Sequence, residues 1–249
     1  MKFFRVDRRF WWVLLAAMVS AFLTASLGFW QLRRAALKES TQSILDQRMA
    51  MPALSNADLA SLDTTGSVLH RSATLRGQWL PHATVFLDNR QMNQRQGFYV
   101  VTPMKLAGDG RLLLVQRGWV PRDFQDRTRV PHIPSPGGWV EVSGRMAAAP
   151  ARVYELGPSD SGLIRQNLST AAVAQALAAE VIDGSLVQLA PSPHAPDDGL
   201  VRQWPQVASD VHKHHGYAFQ WFGLCALIVV LYVWFQIISP LRQQRGSGT

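Results

Sequence analysis

Hydrophobic positions fall along this chain in three textures. Residues 10–32 and 217–239 are uncharged and almost continuously apolar. At about 1.5 Å of rise per residue, each is long enough as a helix to cross a hydrocarbon core roughly 30 Å thick. Residues 33–215 mix polar residues with short apolar segments, set apart by Gly, Pro, Asn and Asp. The pattern predicts a two-helix transmembrane hairpin that holds a water-facing domain by both its ends.

Residues 31–49, rich in Ala, Leu, Gln, Arg and Lys, extend the first helix to a stop before Met51-Pro52, and residues 56–62 predict a short helix capped by Asn56. Strand-like text follows at 67–79, 84–88, 98–106, 111–121, 139–146 and 185–189. Gly108-Asp109-Gly110 reads as a hairpin turn, Pro134-Ser135-Pro136-Gly137-Gly138 as a loop, and residues 191–199 as another. Leu112-Leu113-Leu114-Val115 has the uninterrupted apolarity of a strand covered on both faces. Residues 169–179 form an Ala-rich helix capped by Ser169 or Thr170. The expected fold is α+β: a mostly antiparallel barrel- or sandwich-like domain, with one or two short helices, enclosed in sequence by the two spans.

Charge changes this picture by its location. The formal net charge is +8 and the pI about 10.4. Lys2, Arg5, Arg8 and Arg9 precede the first span against Asp7 alone, and Arg242 and Arg245 follow the second with no acid. Most of the excess therefore flanks the spans, which excludes nucleic acid as the reason for it. Basic short tails predict that residues 1–9 and 240–249 are cytoplasmic and that residues 33–215 lie on the other side. Arg33, Arg34 and Lys38 oppose this, but long loops cross largely regardless of charge. The first apolar run exceeds a signal-peptide core, has no A-x-A site, and is preceded by no transit-like segment. A retained anchor in a bacterial inner membrane, with a periplasmic central domain, is expected.

The single cysteine, Cys225, lies in the second span, so no disulfide or paired-thiol chemistry is available within the chain. Phosphate-loop, dinucleotide and H-E-x-x-H signatures are absent. The loop carrying Ser159 and Ser161 departs from G-x-S-x-G spacing and offers only a weak case for a tethered hydrolase. His70, His82, His132 and His194 are isolated. The expectation is a protein that is not an enzyme.

Where the domain meets the second span the chain reads His212-Lys213-His214-His215-Gly216-Tyr217. In a helix, His214, Tyr217, Ala218 and Trp221 fall at i, i+3, i+4 and i+7 and share a face, whereas His212 and His215 point elsewhere. That spacing argues against a three-histidine metal site. One neutral imidazole suits an axial bond to haem iron, because the macrocycle supplies the other four nitrogens. Ala218 would leave room for a flat ring, and Tyr217 and Trp221 would give it apolar surface. On spacing alone the plainer reading is favoured, an interfacial histidine that wets the helix end.

Gly28-Phe29-Trp30-Gln31-Leu32-Arg33, Asp88-Asn89-Arg90, Gly97-Phe98-Tyr99-Val100-Val101-Thr102-Pro103, Arg117-Gly118-Trp119-Val120-Pro121 and His214-His215-Gly216-Tyr217-Ala218-Phe219-Gln220-Trp221-Phe222 occur in this order. Together with the two-span layout, they resemble the surfeit locus protein 1 family of cytochrome c oxidase assembly factors. The resemblance implies a factor for a haem-copper terminal oxidase that binds haem a transiently and assists its insertion into oxidase subunit I. It implies His214 as the axial ligand to the haem iron, with haem A synthase and membrane lipid as further partners. The sequence departs from the family pattern at His212, where Asn is usual, and at His215, where Leu is usual; either could share ligation. Gly97 and Arg117-Gly118-Trp119 are expected to serve the turns and core of the domain. The alternative function is a scaffold that clasps an oxidase subunit and never touches haem.

Overall fold

The computed structural model describes residues 8–61, 65–126, 128–150, 162–192, 197–205 and 210–246. The chain divides into two compact units, one formed by residues 1–43 with 206–249 and the other by residues 44–205.

In the first unit, α1 (Arg8–Met49), as far as residue 43, runs antiparallel to α5 (Val211–Val233), and one π-helical turn (Trp234–Ile238) carries α5 into α6 (Ser239–Gly246). The helix ends where the sequence placed its stop, before Met51-Pro52. Both long helices contain windows apolar enough to cross a membrane. On α1 the less exposed positions include Phe10, Leu14, Ala17, Ala21, Thr24, Gly28, Gln31 and Ala35, which follow alternating steps of four and three; on α5 they include His214, Ala218, Trp221, Cys225, Ile228 and Tyr232. This 3.5-residue period is the seam of a two-helix coiled coil. Small residues on α1 let the backbones approach, which is how helices associate where lipid removes the hydrophobic drive. Cys225 Sγ donates to the Ala21 carbonyl at 3.4 Å, and the Phe29 and Phe222 rings meet edge-on at 5.2 Å. The outward faces are apolar, with Trp12, Phe22 and Phe219 at least 70% exposed.

The second unit holds α2 (Asn56–Ser61), α3 (Thr65–Val68), β1 (Ser72–Trp79), β2 (Val85–Met92), β3 (Arg95–Leu106), β4 (Leu112–Pro121), β5 (Val140–Ala147), β6 (Ile164–Arg165), α4 (Thr170–Leu177) and β7 (Val181–Gln188). Strands pair in the order β1-β5-β7-β4-β3, and a further β1–β3 pairing closes these five into a barrel, with β2 and β6 continuing outward from β3. The pairings are antiparallel except β4–β7 and β2–β6, which are parallel. Parallel neighbours need a crossover, and β5, β6 and α4 all intervene between β4 and β7 in sequence.

Five strands contribute Leu75, Met104, Leu113, Val115, Val142, Met146 and Leu186 to the main core, none with measurable exposure. Leu114 faces the other way, into a second core with Val85, Leu87, Val101, Leu168 and Val173 of α4. That division is why Leu112 to Val115 carries no polar alternation: the strand is covered by side chains on both faces.

Several elements differ from expectation. Ser55, not Asn56, caps α2: the Ser55 amide donates to Asp58 Oδ2 at 2.7 Å while the Asp58 amide donates back to Ser55 Oγ. Asn56 instead bonds the Arg76 amide with its oxygen, and the Arg76 and Ala107 carbonyls with its amide nitrogen. The segment read as a strand from residue 67 begins as α3, and β1 starts at Ser72. β2 extends to Met92 through a register shift between Leu87 and Arg90, then turns into β3 at Asn93 and Gln94, both at positive φ. Ser169 caps α4 as expected, its hydroxyl accepting from the Ala172 amide at 3.1 Å. Ser159, Ser161 and His194 lie outside the described residues.

Candidate functional site

Helix α5 is already helical by Val211, so the segment that carries the histidines is a first helical turn and a half rather than a loop. His214 points into the seam of the helical unit. Its Nδ1 lies 2.7 Å from Gln31 Oε1 on α1. An amide oxygen only accepts, so in this contact Nδ1 is the donating nitrogen, and in a neutral ring Nε2 would be the one left to bind. A neutral imidazole presenting one free nitrogen is the donor set that an axial bond to haem iron requires.

The neighbours fall unevenly around it. Ala218, one turn on, is 2% exposed at the same seam, and Trp221 is half-buried a turn further. Tyr217 is half exposed and lies off the seam, so the face foreseen as four residues is in the structure His214, Ala218 and Trp221. His215 is exposed and pairs through Nε2 with Glu39 at 3.1 Å, and His212 is exposed. A shallow groove of about 440 Å³ in the same unit is lined by Ser26, Phe29, Leu32 and Arg33 of α1. Among the described residues no group of three or more His, Cys, Asp or Glu side chains is placed to hold a metal ion.

The motif residues of the β domain serve packing. A Cβ on Gly97 would lie 2.1 Å from the Val120 carbonyl oxygen, so only glycine permits β3 and β4 to approach there. Trp119 is buried, and its indole donates to the Arg90 carbonyl at 2.9 Å. Trp119 also exchanges backbone bonds with Val201, stitching residues 197–205 onto β4. Gly118 clears the Leu200 side chain, which a Cβ would meet at 2.6 Å.

Arg117 was foreseen only as part of a core strand, yet it is a buried charge, 3% exposed. Its guanidinium lies 4.6 Å from the centre of the Trp79 ring, donates to Ser135 Oγ and the Pro134 carbonyl, and lies 3.7 Å from Asp198. Arg202, its side chain also largely enclosed, pairs with the same carboxylate. Burial pushes the Arg117 guanidinium down to about 10; Asp198 acts against that and Arg202 with it. Sequence reading missed Asp198 and Arg202 because a loop rich in Asp and Pro looks solvated. It also missed Gln31 as a partner of His214, although the step of three from Gly28 to Gln31 on a small-residue face was a usable signal.

Two helices long and apolar enough to cross a membrane and, as a separate unit, a closed five-stranded barrel define the class. The sequence model of the SURF1 family matches residues 18–226, and the chain belongs to that family. It is 24% identical over 237 residues to the "SURF1-like protein" of Rickettsia bellii, covering 94% of each chain. It is 25% identical over 223 residues to that of Rickettsia felis, covering 88% of this chain and 94% of the relative. A shorter match, 28% identical over 128 residues, joins it to "Surfeit locus protein 1" of Arabidopsis thaliana, across 47% of this chain and 36% of that one. The family is known for cytochrome oxidase assembly factors, which are not enzymes, and some of its members bind haem.

Proposed function

We propose that this chain is an assembly factor for a haem-copper terminal oxidase that holds haem a transiently through His214 and assists its insertion into oxidase subunit I. The observation that carries the reading is the Gln31–His214 contact, which occupies Nδ1 and leaves Nε2 available. Ala218 and Trp221 supply a small and an aromatic surface on the same helix face, with Tyr217 at its edge. A single protein ligand suits a carrier, because one bond to iron holds the cargo and is readily exchanged for those of the acceptor. Haem A synthase is the expected donor and subunit I the acceptor.

The basic tails support an orientation with both termini in the cytoplasm of a bacterial cell and residues 33–215 in the periplasm. In that arrangement the start of α5 lies near the outer interface, where a porphyrin could keep its hydrophobic tail in lipid.

The test is a spectrum. Detergent-extracted protein co-expressed with haem a synthesis is expected to carry a Soret band, and His214→Ala to lose it. Haem content unchanged in that variant would refute the ligand assignment and leave the scaffold reading, in which oxidase subunits co-purify whatever stands at residues 212, 214 and 215.

A further inference from the structure

We infer that Gln31 is the positioning residue for His214: its side-chain oxygen selects the Nδ1–H form of the imidazole and so aims an unprotonated Nε2 away from the seam. The inference rests on the reading of His214 as a haem ligand and deepens it.

The geometry supporting it is specific. Gln31 lies on the seam face of α1, one step of three after Gly28 and one of four before Ala35. Gly28 and Ala35 on either side of it are buried. Phe222 crosses directly over Gly28, where a Cβ would come within 2.8 Å of the ring. Gln31, itself partly buried, is thus flanked by covered positions one step before it and one step after it on the seam face. The 2.7 Å separation lies within hydrogen-bond range.

A neutral histidine in water exchanges between two tautomers, and only the one protonated at Nδ1 presents Nε2 as a ligand. Histidines that bind metals generally donate their second N–H to a carboxylate, a carbonyl or water, and that partner sets the tautomer and the ring's orientation. Gln31 occupies that role without adding charge. A carboxylate there would accept the same Nδ1–H but place a charge beside the iron; His215 instead meets the Glu39 carboxylate through Nε2 itself. The neighbouring histidine is thus held by the nitrogen His214 leaves free. The pair distinguishes a ring set up to bind from one already engaged.

The experiment uses the full chain in detergent and separates this inference from the carrier reading. Nitrogen-15 NMR of histidine-labelled, haem-free protein reports the His214 tautomer, and titration with ferric protoporphyrin followed at the Soret band reports affinity. Wild type is expected in the Nδ1–H form. Gln31→Leu is expected to shift His214 toward the Nε2–H form and to weaken haem binding roughly 10- to 100-fold, the usual effect of losing such a partner. Gln31→Glu keeps an acceptor at the same place; it is expected to retain the wild-type tautomer and affinity and to lower the midpoint potential of the bound iron. If Gln31→Leu leaves both tautomer and affinity unchanged, or Gln31→Glu behaves like Leu, the positioning role is overturned while His214 remains the ligand. If His214→Ala binds haem as wild type does, the carrier reading fails, and the haem-free tautomer measurement still decides what Gln31 does.

Discussion

The helical unit and the β domain bury different things. In the β domain Leu75, Leu113, Val142 and Leu186 have no exposed surface, and even a guanidinium is enclosed with its own carboxylate. In the helical unit the deeply buried described residues are small, namely Thr24, Gly28, Ala35 and Ala218, while Trp12, Phe22 and Phe219 face outward. The domain contains its own apolar interior. The hairpin borrows one from the bilayer and joins its helices by close backbone approach and a few polar contacts. A polar residue in the barrel therefore acts as a structural fixture, whereas one in the seam, such as His214 or Gln31, is a candidate for function.

The sharpest way to break this contrast is Asp198→Ala. It leaves the buried Arg117 and Arg202 guanidiniums without their carboxylate and is expected to destabilise the β domain by about 3–5 kcal/mol. Urea unfolding of the full chain in detergent, followed by tryptophan fluorescence, measures it. A loss below about 1 kcal/mol would place this pair with ordinary surface pairs such as Arg111–Asp109.

Glycine replacements sharpen the comparison at the next level. Gly97→Ala drives a methyl group against the Val120 carbonyl, a backbone atom with nowhere to move, and is expected to cost about 3 kcal/mol or more. Gly28→Ala meets the edge of the Phe222 ring, which turns aside on its own side chain, and is expected to cost under about 1 kcal/mol. Unfolding curves for the two variants in the same detergent would show whether the seam yields where the barrel does not.

The smallest effect concerns acid. Burial, then the guanidiniums of Arg145 and Arg48, hold the folded His70 ring below its ordinary value of 6.5. The unfolded chain then takes up a proton before the folded one does. Stability is greatest above about pH 6.5 and declines as pH falls through the folded value. His70→Gln is expected to make the stability of the β domain flatter between pH 7 and 5, a slope read from unfolding midpoints across that range.

Much of the architecture was legible because it is encoded locally. The two long apolar helices, the helix stop before Met51-Pro52, the cap at Ser169 or Thr170 and the turn at Gly108-Asp109-Gly110 each depend on neighbours within a few residues. Asn56 was misread as a cap for a related reason: Ser55 and Asn56 are both good caps, and only contact with Arg76 and Ala107 shows which one is otherwise engaged. His214 stood out in the sequence by its setting among histidines, but spacing favoured a wetted helix end over a ligand.

What the sequence determined by itself was composition per element: which stretches must leave water, which alternate or run apolar as strands, and which residues bear nitrogen, sulfur or charge. Tertiary structure alone decided the pairings between remote positions. β4 lies beside β7, Asp198 neutralises Arg117, and Gln31 meets His214 from 183 residues away. The physical reason is that a hydrogen bond or ion pair depends on distance and direction between two groups, and neither exists for remote residues until the chain between them has folded.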